Sequence, residues 1–157
     1  MKCFIVQVLS ASHLYICHVP ESESALILPS SYSNLRTVNE TLDIRKNLRV
    51  KYPKDPLRER SSEYCVVFEV AKSRKGCEAA ENPVHRLLVP GQQVCVSCAS
   101  AAMRKHLGYR CHGHGVDDQQ TRFSSVSAQN CHGRWIRKGQ YELCPCHSDA
   151  RPDFIFI

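Results

Sequence analysis

The chain lacks any apolar run approaching the ~20 residues needed to cross a bilayer, which excludes a membrane-spanning segment. Aromatic residues are scarce at 8%, with a single tryptophan and two methionines. A length of 157 residues with 43% hydrophobic content leaves room for one core and a tail, and none for a multidomain enzyme. There is no internal repeat and no low-complexity tract, so neither a solenoid nor a wholly disordered chain fits. Acidic residues are outnumbered, and the net charge of +6 implies only weak steering toward polyanions, below that of a dedicated DNA binder. What the chain does have is cysteine: ten in all, eight of them between Cys65 and Ile157. Such density is that of a cross-linked extracellular scaffold rather than of a cytosolic domain.

Three regions differ in texture. Residues 1–19 carry one lysine, the apolar stretch Cys3 to Leu9 and the small residues Ser10-Ala11-Ser12, and read either as a signal peptide or as a mis-started N-terminus. Residues 20–63 are poor in aromatics and interrupted by Pro20, Pro29, Pro53 and Pro56; they read as a flexible linker, partly helical over Asn34 to Lys51 or disordered. Within them Asn39-Glu40-Thr41 is an N-glycosylation acceptor, accessible in an exposed tether.

Residues 64–157 form the cysteine-rich module. Strands are predicted over Tyr64 to Val70, Val84 to Val89, Gln92 to Val96, Thr121 to Ser127 and Gly133 to Arg137, from β-branched and aromatic content bounded by turn residues. Ala99 to Leu107 holds strong helix formers ahead of Gly108, which predicts a two-turn helix with a glycine cap. The apolar end, Asp153 to Ile157, is expected to dock as an edge strand, because exposure would forgo roughly 1.5 to 3 kcal/mol per large side chain. The expected fold class is therefore α+β: a small disulfide-rich domain of short, mostly antiparallel strands with one or two short helices.

The eight late cysteines, Cys65, Cys77, Cys95, Cys98, Cys111, Cys131, Cys144 and Cys146, allow four disulfides, whose connectivity is one of about 105. Cys144 and Cys146 flank a single proline, so they point to the same side of an extended strand and should join two different partners. Zinc is the competing use of these residues. Cys95-x-x-Cys98 has ligand spacing, and His112, His114, His132 and His147 each stand near a cysteine. A second pair at that spacing is missing, as is an H-x(3–5)-H element, and the histidines read as solvated loop residues. Cys98 ahead of the predicted helix would suit a redox thiol, but the βαβ context is absent, and no cysteine is singular enough for a protease nucleophile. The reading is of a non-enzyme without cofactor. The basic groups Lys72-Ser73-Arg74-Lys75, Arg104-Lys105-His106 and Arg134 to Lys138 read as solvated surface; two of them converging on one face would attract sulfated polysaccharide.

The order of these residues resembles a known module. Tyr64-Cys65-Val66-Val67-Phe68-Glu69, Val94-Cys95-Val96-Ser97-Cys98, Leu107-Gly108-Tyr109-Arg110-Cys111-His112-Gly113-His114-Gly115, Asn130-Cys131-His132-Gly133-Arg134-Trp135, Cys144-Pro145-Cys146 and the tail Phe154-Ile155-Phe156-Ile157 are similar to the carboxy-terminal module of RPE-spondin, in the somatomedin-B and thrombospondin type-1 domain-containing family. The resemblance implies a secreted component of the extracellular matrix without catalysis. Only Cys3 and Cys17 precede Cys65, so the family's two upstream domains have no counterpart here, and their adhesive roles do not transfer. The expected function is a secreted, disulfide-stabilised binding or structural module of the matrix, with a matrix protein or a sulfated glycosaminoglycan as partner and no nucleic acid. An intracellular zinc-stabilised interaction module is the alternative.

Overall fold

The structure, a computed structural model, describes residues 2–7, 13–18, 24–32 and 63–157. The candidate glycosylation site Asn39 and the helix expected over Asn34 to Lys51 lie outside these residues. Strands β1 (Lys2–Gln7) and β2 (His13–His18) pair antiparallel, with Cys3 in register with Cys17. The remaining sheet is a closed six-stranded barrel of β3 (Ser24–Pro29), β4 (Tyr64–Ser73), β5 (Gln93–Cys98), β8 (Gln120–Ser125), β9 (His132–Tyr141) and β10 (Phe154–Phe156). A two-residue pair, β6 (Met103–Arg104) with β7 (Arg110–Cys111), stands apart from it.

The barrel closes in the order β10-β3-β8-β9-β4-β5. Most of its pairings are antiparallel; β3 runs parallel to β8, and β10 parallel to β5. Alternation places Val66, Phe68 and Val70 of β4, Val94 and Val96 of β5, Phe123 of β8, Trp135 of β9, Ile27 of β3 and both phenylalanines of β10 in one interior cluster. Trp135 stacks on Phe68 at 4.1 Å and on Phe123 at 4.5 Å between ring centroids, which fills the centre with few side chains. Strand β4 is buried continuously from Tyr64 to Phe68 rather than alternately. Its outward residues Cys65 and Val67 are covered too, by Cys144 and Cys146.

The α+β expectation is corrected to all-β: among the described residues there is no α-helix, only three- to five-residue 3₁₀ turns. The helix expected over Ala99 to Leu107 is instead a 3₁₀ turn (Ser100–Ala102), strand β6 and a second 3₁₀ turn (Lys105–Leu107). Ser100 to Met103 are all buried, which a helix with one apolar face cannot satisfy, and the Cys98–Cys111 bridge makes the chain double back within 13 residues. Tertiary context here outweighs propensity differences of under about 1 kcal/mol per residue. Gly108 does cap the second turn in the left-handed region, at φ 70°.

Two further expectations are corrected. Val84 to Val89 forms no strand: Asn82 accepts a hydrogen bond from Val84 N at 3.2 Å and Pro83 opens a 3₁₀ helix, Pro83–Leu87. The terminal segment is not an edge: β10 pairs with β3 on one side and β5 on the other, which closes the barrel. Its partner β3 comes from the stretch read as linker, where Ala25, Ile27 and Leu28 are fully buried. Gly113 makes this possible, since at φ 80° it lies against the Ala25 backbone, where a Cβ would stand 2.5 Å from Ala25 Cα.

Candidate functional site

All eight late cysteines are paired, Cys65 with Cys144, Cys95 with Cys146, Cys77 with Cys131 and Cys98 with Cys111. Cys65 and Cys95 stand on the outer face of neighbouring strands, and Cys144-Pro145-Cys146 is strapped across them by two bridges to different partners. The sulfurs of Cys65, Cys95 and Cys144 lie within 4.8 Å of one another because these bridges stack, but a disulfide sulfur is not the thiolate that zinc requires. The four neighbouring histidines do not gather around them. His114 faces Arg137, His147 Nε2 lies 2.6 Å from Asp153 Oδ1, His132 is exposed and His112 is half-buried.

Arg137 is buried although it belongs to a basic run. Its guanidinium donates to Asp117 Oδ1 (2.7 Å), the His114 and Gly115 carbonyl oxygens (3.0 and 3.1 Å), Gln140 Oε1 (2.7 Å) and His114 Nδ1 (3.0 Å). Arginine has no acceptor to offer, so the last contact requires an unprotonated Nδ1. Burial, and then the charges of Arg137 and Arg110, push the His114 imidazole down to about 4. Burial also lowers His85, which accepts from Ser125 Oγ at 2.7 Å while its Nδ1 faces the Asn82 carbonyl oxygen. Ser125 is itself buried, so this Ser-His pair holds the 3₁₀ turn to β8 and presents no oxygen for attack.

A pH dependence follows. A histidine whose folded value lies below its unfolded value near 6.5 leaves stability intact above that pH; stability then falls as the unfolded chain takes up the proton first. The decline for His114 runs from about pH 6.5 to about 4 and reaches at most about 3 kcal/mol, with His85 adding in the same direction. Thermal melts across this range should show it, and His114→Gln should flatten part of the slope. An unchanged slope in that variant would contradict the assignment.

The exposed face carries the remaining feature. Arg122 of β8 is in register with Arg134 of β9, and Arg134 with Lys72 of β4, so three cations stand in one row across three strands. All three are exposed, as are Arg74 and His132 beside them. They line an open groove of about 650 Å³ together with Ser73 and Gly133, and no carboxylate is among its lining residues. A Cβ on Gly133 would run into the Lys72 carbonyl, so only glycine lets β9 approach β4 this closely. The Cys77–Cys131 bridge, with Cα atoms 4.4 Å apart, pins the two chain segments that continue from the groove.

A family model described as SBSPON-like, C-terminal, matches residues 26–156. The chain belongs to that family. No curated protein and no solved structure matches the chain. Membership and four disulfides fit an extracellular module. The family match begins at residue 26, within β3, and ends at 156, the last residue of β10, the two strands that pair to close the barrel. Among the described residues, no helix is long and apolar enough to cross a membrane. The runs Lys72 to Lys75 and Arg134 to Lys138 do converge, but only partly: Arg137 is buried, and Lys138 lies 3.6 Å from Glu69. Arg122 joins them although it sits alone in an alternating strand; only register, which a sequence does not print, assigns it to the groove.

Proposed function

We propose that the chain is a secreted, non-catalytic binding or structural module of the extracellular matrix, glycosylated at Asn39. The observation that carries this reading is the doubly bridged strap Cys144-Pro145-Cys146 over β4 and β5, which needs an oxidising compartment to form and stands in for core that a barrel of this size lacks. All eight cysteines of the module are bridged, and the buried Ser125–His85 pair serves packing, which supports a non-catalytic role. The test is expression of the full chain in a secretory cell line, followed by alkylation of the denatured, unreduced product and mass spectrometry. The expected result is a secreted protein with none of the eight cysteines of 64–157 alkylated, a glycosidase-sensitive mass at Asn39 and retention in cell-free matrix. Eight alkylated cysteines with bound zinc in a cytosolic product would replace this reading by the intracellular one.

A further inference from the structure

We propose that the groove lined by Lys72, Arg74, Arg122 and Arg134 binds a sulfated glycosaminoglycan; the proposal rests on the extracellular reading above and names its ligand. Three of these cations, Lys72, Arg134 and Arg122, come from three adjacent strands of a closed barrel, so their spacing is set by the sheet, about 4.8 Å from strand to strand, and Arg74 follows directly on the end of β4. A row of about three strands then matches an extended polyanion with anionic groups along its length, and it does so without a conformational search. No ion pair or hydrogen bond to a side chain within the described residues neutralises Lys72, Arg74, Arg122 or Arg134, whereas elsewhere Arg137, Lys138 and Arg151 each have a carboxylate partner. Like charges held in register disfavour the fold. An anionic ligand would relieve that repulsion.

The groove chemistry separates this partner from other polyanions. Its lining residues include no Phe, Tyr or Trp and no large aliphatic side chain, and His132 is the one ring among them. Single-stranded nucleic acid gains much of its affinity by stacking successive bases on aromatic platforms, and a membrane surface is held by an apolar wedge; this groove offers a single imidazole and no wedge. Sulfate groups ask only for cations and hydrogen-bond donors, which arginine and lysine supply. Ser73 and Arg74 continue into a second open cavity of about 1290 Å³, lined further by Lys75, Tyr32, Asn130 and one carboxylate, Glu81. A chain longer than the row can therefore extend past Arg74, where polar side chains meet uncharged sugar.

Heparin affinity of the secreted full chain tests the proposal. K72Q/R122Q/R134Q should lose at least about tenfold in affinity near physiological salt, and its slope of log affinity against log salt should fall by about three. R104Q/K105Q/R110Q removes the same charge from another surface and should bind as the parent does. All three substituted residues of the groove variant point into water, so near-UV dichroism and melting temperature should match the parent. De-sulfated heparin, phosphatidylserine vesicles and a single-stranded oligonucleotide serve as the other probes and should bind at least about tenfold more weakly than heparin. Equal losses in both triple variants would mean that net charge alone drives binding, and equal binding of vesicles or oligonucleotide would mean a different partner; either overturns the proposal. A fully bridged, secreted chain that passes heparin at low salt overturns the groove alone and leaves the matrix reading standing. A reduced, zinc-loaded chain overturns both.

Discussion

Deletion of residues 154–157 should abolish the folded state. Phe154, Ile155, Phe156 and Ile157 are each at most 5% exposed, and burial of such side chains contributes roughly 1.5 to 3 kcal/mol apiece. Their sum approaches or exceeds the whole net stability of a domain, about 5 to 15 kcal/mol. The backbone adds to the loss, because β10 is bonded along both edges and its removal opens one edge each of β3 and β5, which keep only β8 and β4 as partners. Asp153, at the entry to β10, accepts from Cys95 N at 2.9 Å and donates its own N–H to the Cys95 carbonyl oxygen at 2.9 Å, so the tail is held at its root as well. The truncated chain is expected to show no cooperative melt and to lose the near-ultraviolet signal of Trp135, whose neighbour Phe68 packs edge-to-face on Phe156 at 6.1 Å. The milder Phe156→Ala should cost about 3 to 5 kcal/mol by urea denaturation. A truncated chain that melts cooperatively near the parent temperature would show that β10 does not close the barrel.

The second large effect concerns the strap. The Cys65–Cys144 bridge closes 79 residues and Cys95–Cys146 closes 51, for which chain entropy gives about 4.5 and 4.1 kcal/mol if each stood alone. They do not stand alone. With Cys77–Cys131 intact, Cys65–Cys144 closes a circuit of only about 25 residues and Cys95–Cys146 one of about 33, worth about 3.5 and 3.7 kcal/mol. C65A/C144A and C95A/C146A should therefore each destabilise by less than their full loops imply, and because Cys77–Cys131 keeps both circuits short, their chain-entropy losses should nearly add. Loss of both bridges also uncovers Val67 on the outer face of β4. C98A/C111A, closing 13 residues, should cost about 3 kcal/mol and add independently. Guanidinium denaturation of the variants measures these losses, and a loss at the full-loop value for either strap bridge would refute the sharing of circuits with Cys77–Cys131.

The sequence was most legible where one residue type has one physical use. The cysteines point to disulfides whatever their partners, and a single proline between Cys144 and Cys146 forces them apart onto Cys65 and Cys95. Strands β4, β5, β8 and β9 announce themselves through β-branched and aromatic content, which suits a pleated surface packed on one side. Legibility failed where local preference and long-range packing disagree. Ser100 to Met103 prefer a helix in isolation, yet all four are buried in a loop drawn back by Cys98–Cys111. Ala25 to Leu28 is too short a run to signal a strand against its polar surroundings, and only β8 and β10 on its two sides make it one.

The amino-acid sequence by itself determined the compartment chemistry, the family and most of the strands, because sulfur content and alternation are local properties that no packing can reverse. Barrel closure, the bridge partners, the burial of Arg137 and the alignment of Arg122, Arg134 and Lys72 were decided by the tertiary structure alone. Each depends on which strands lie side by side and in what register, and that is settled by the shared burial of residues from Ala25 to Phe156 around a single tryptophan.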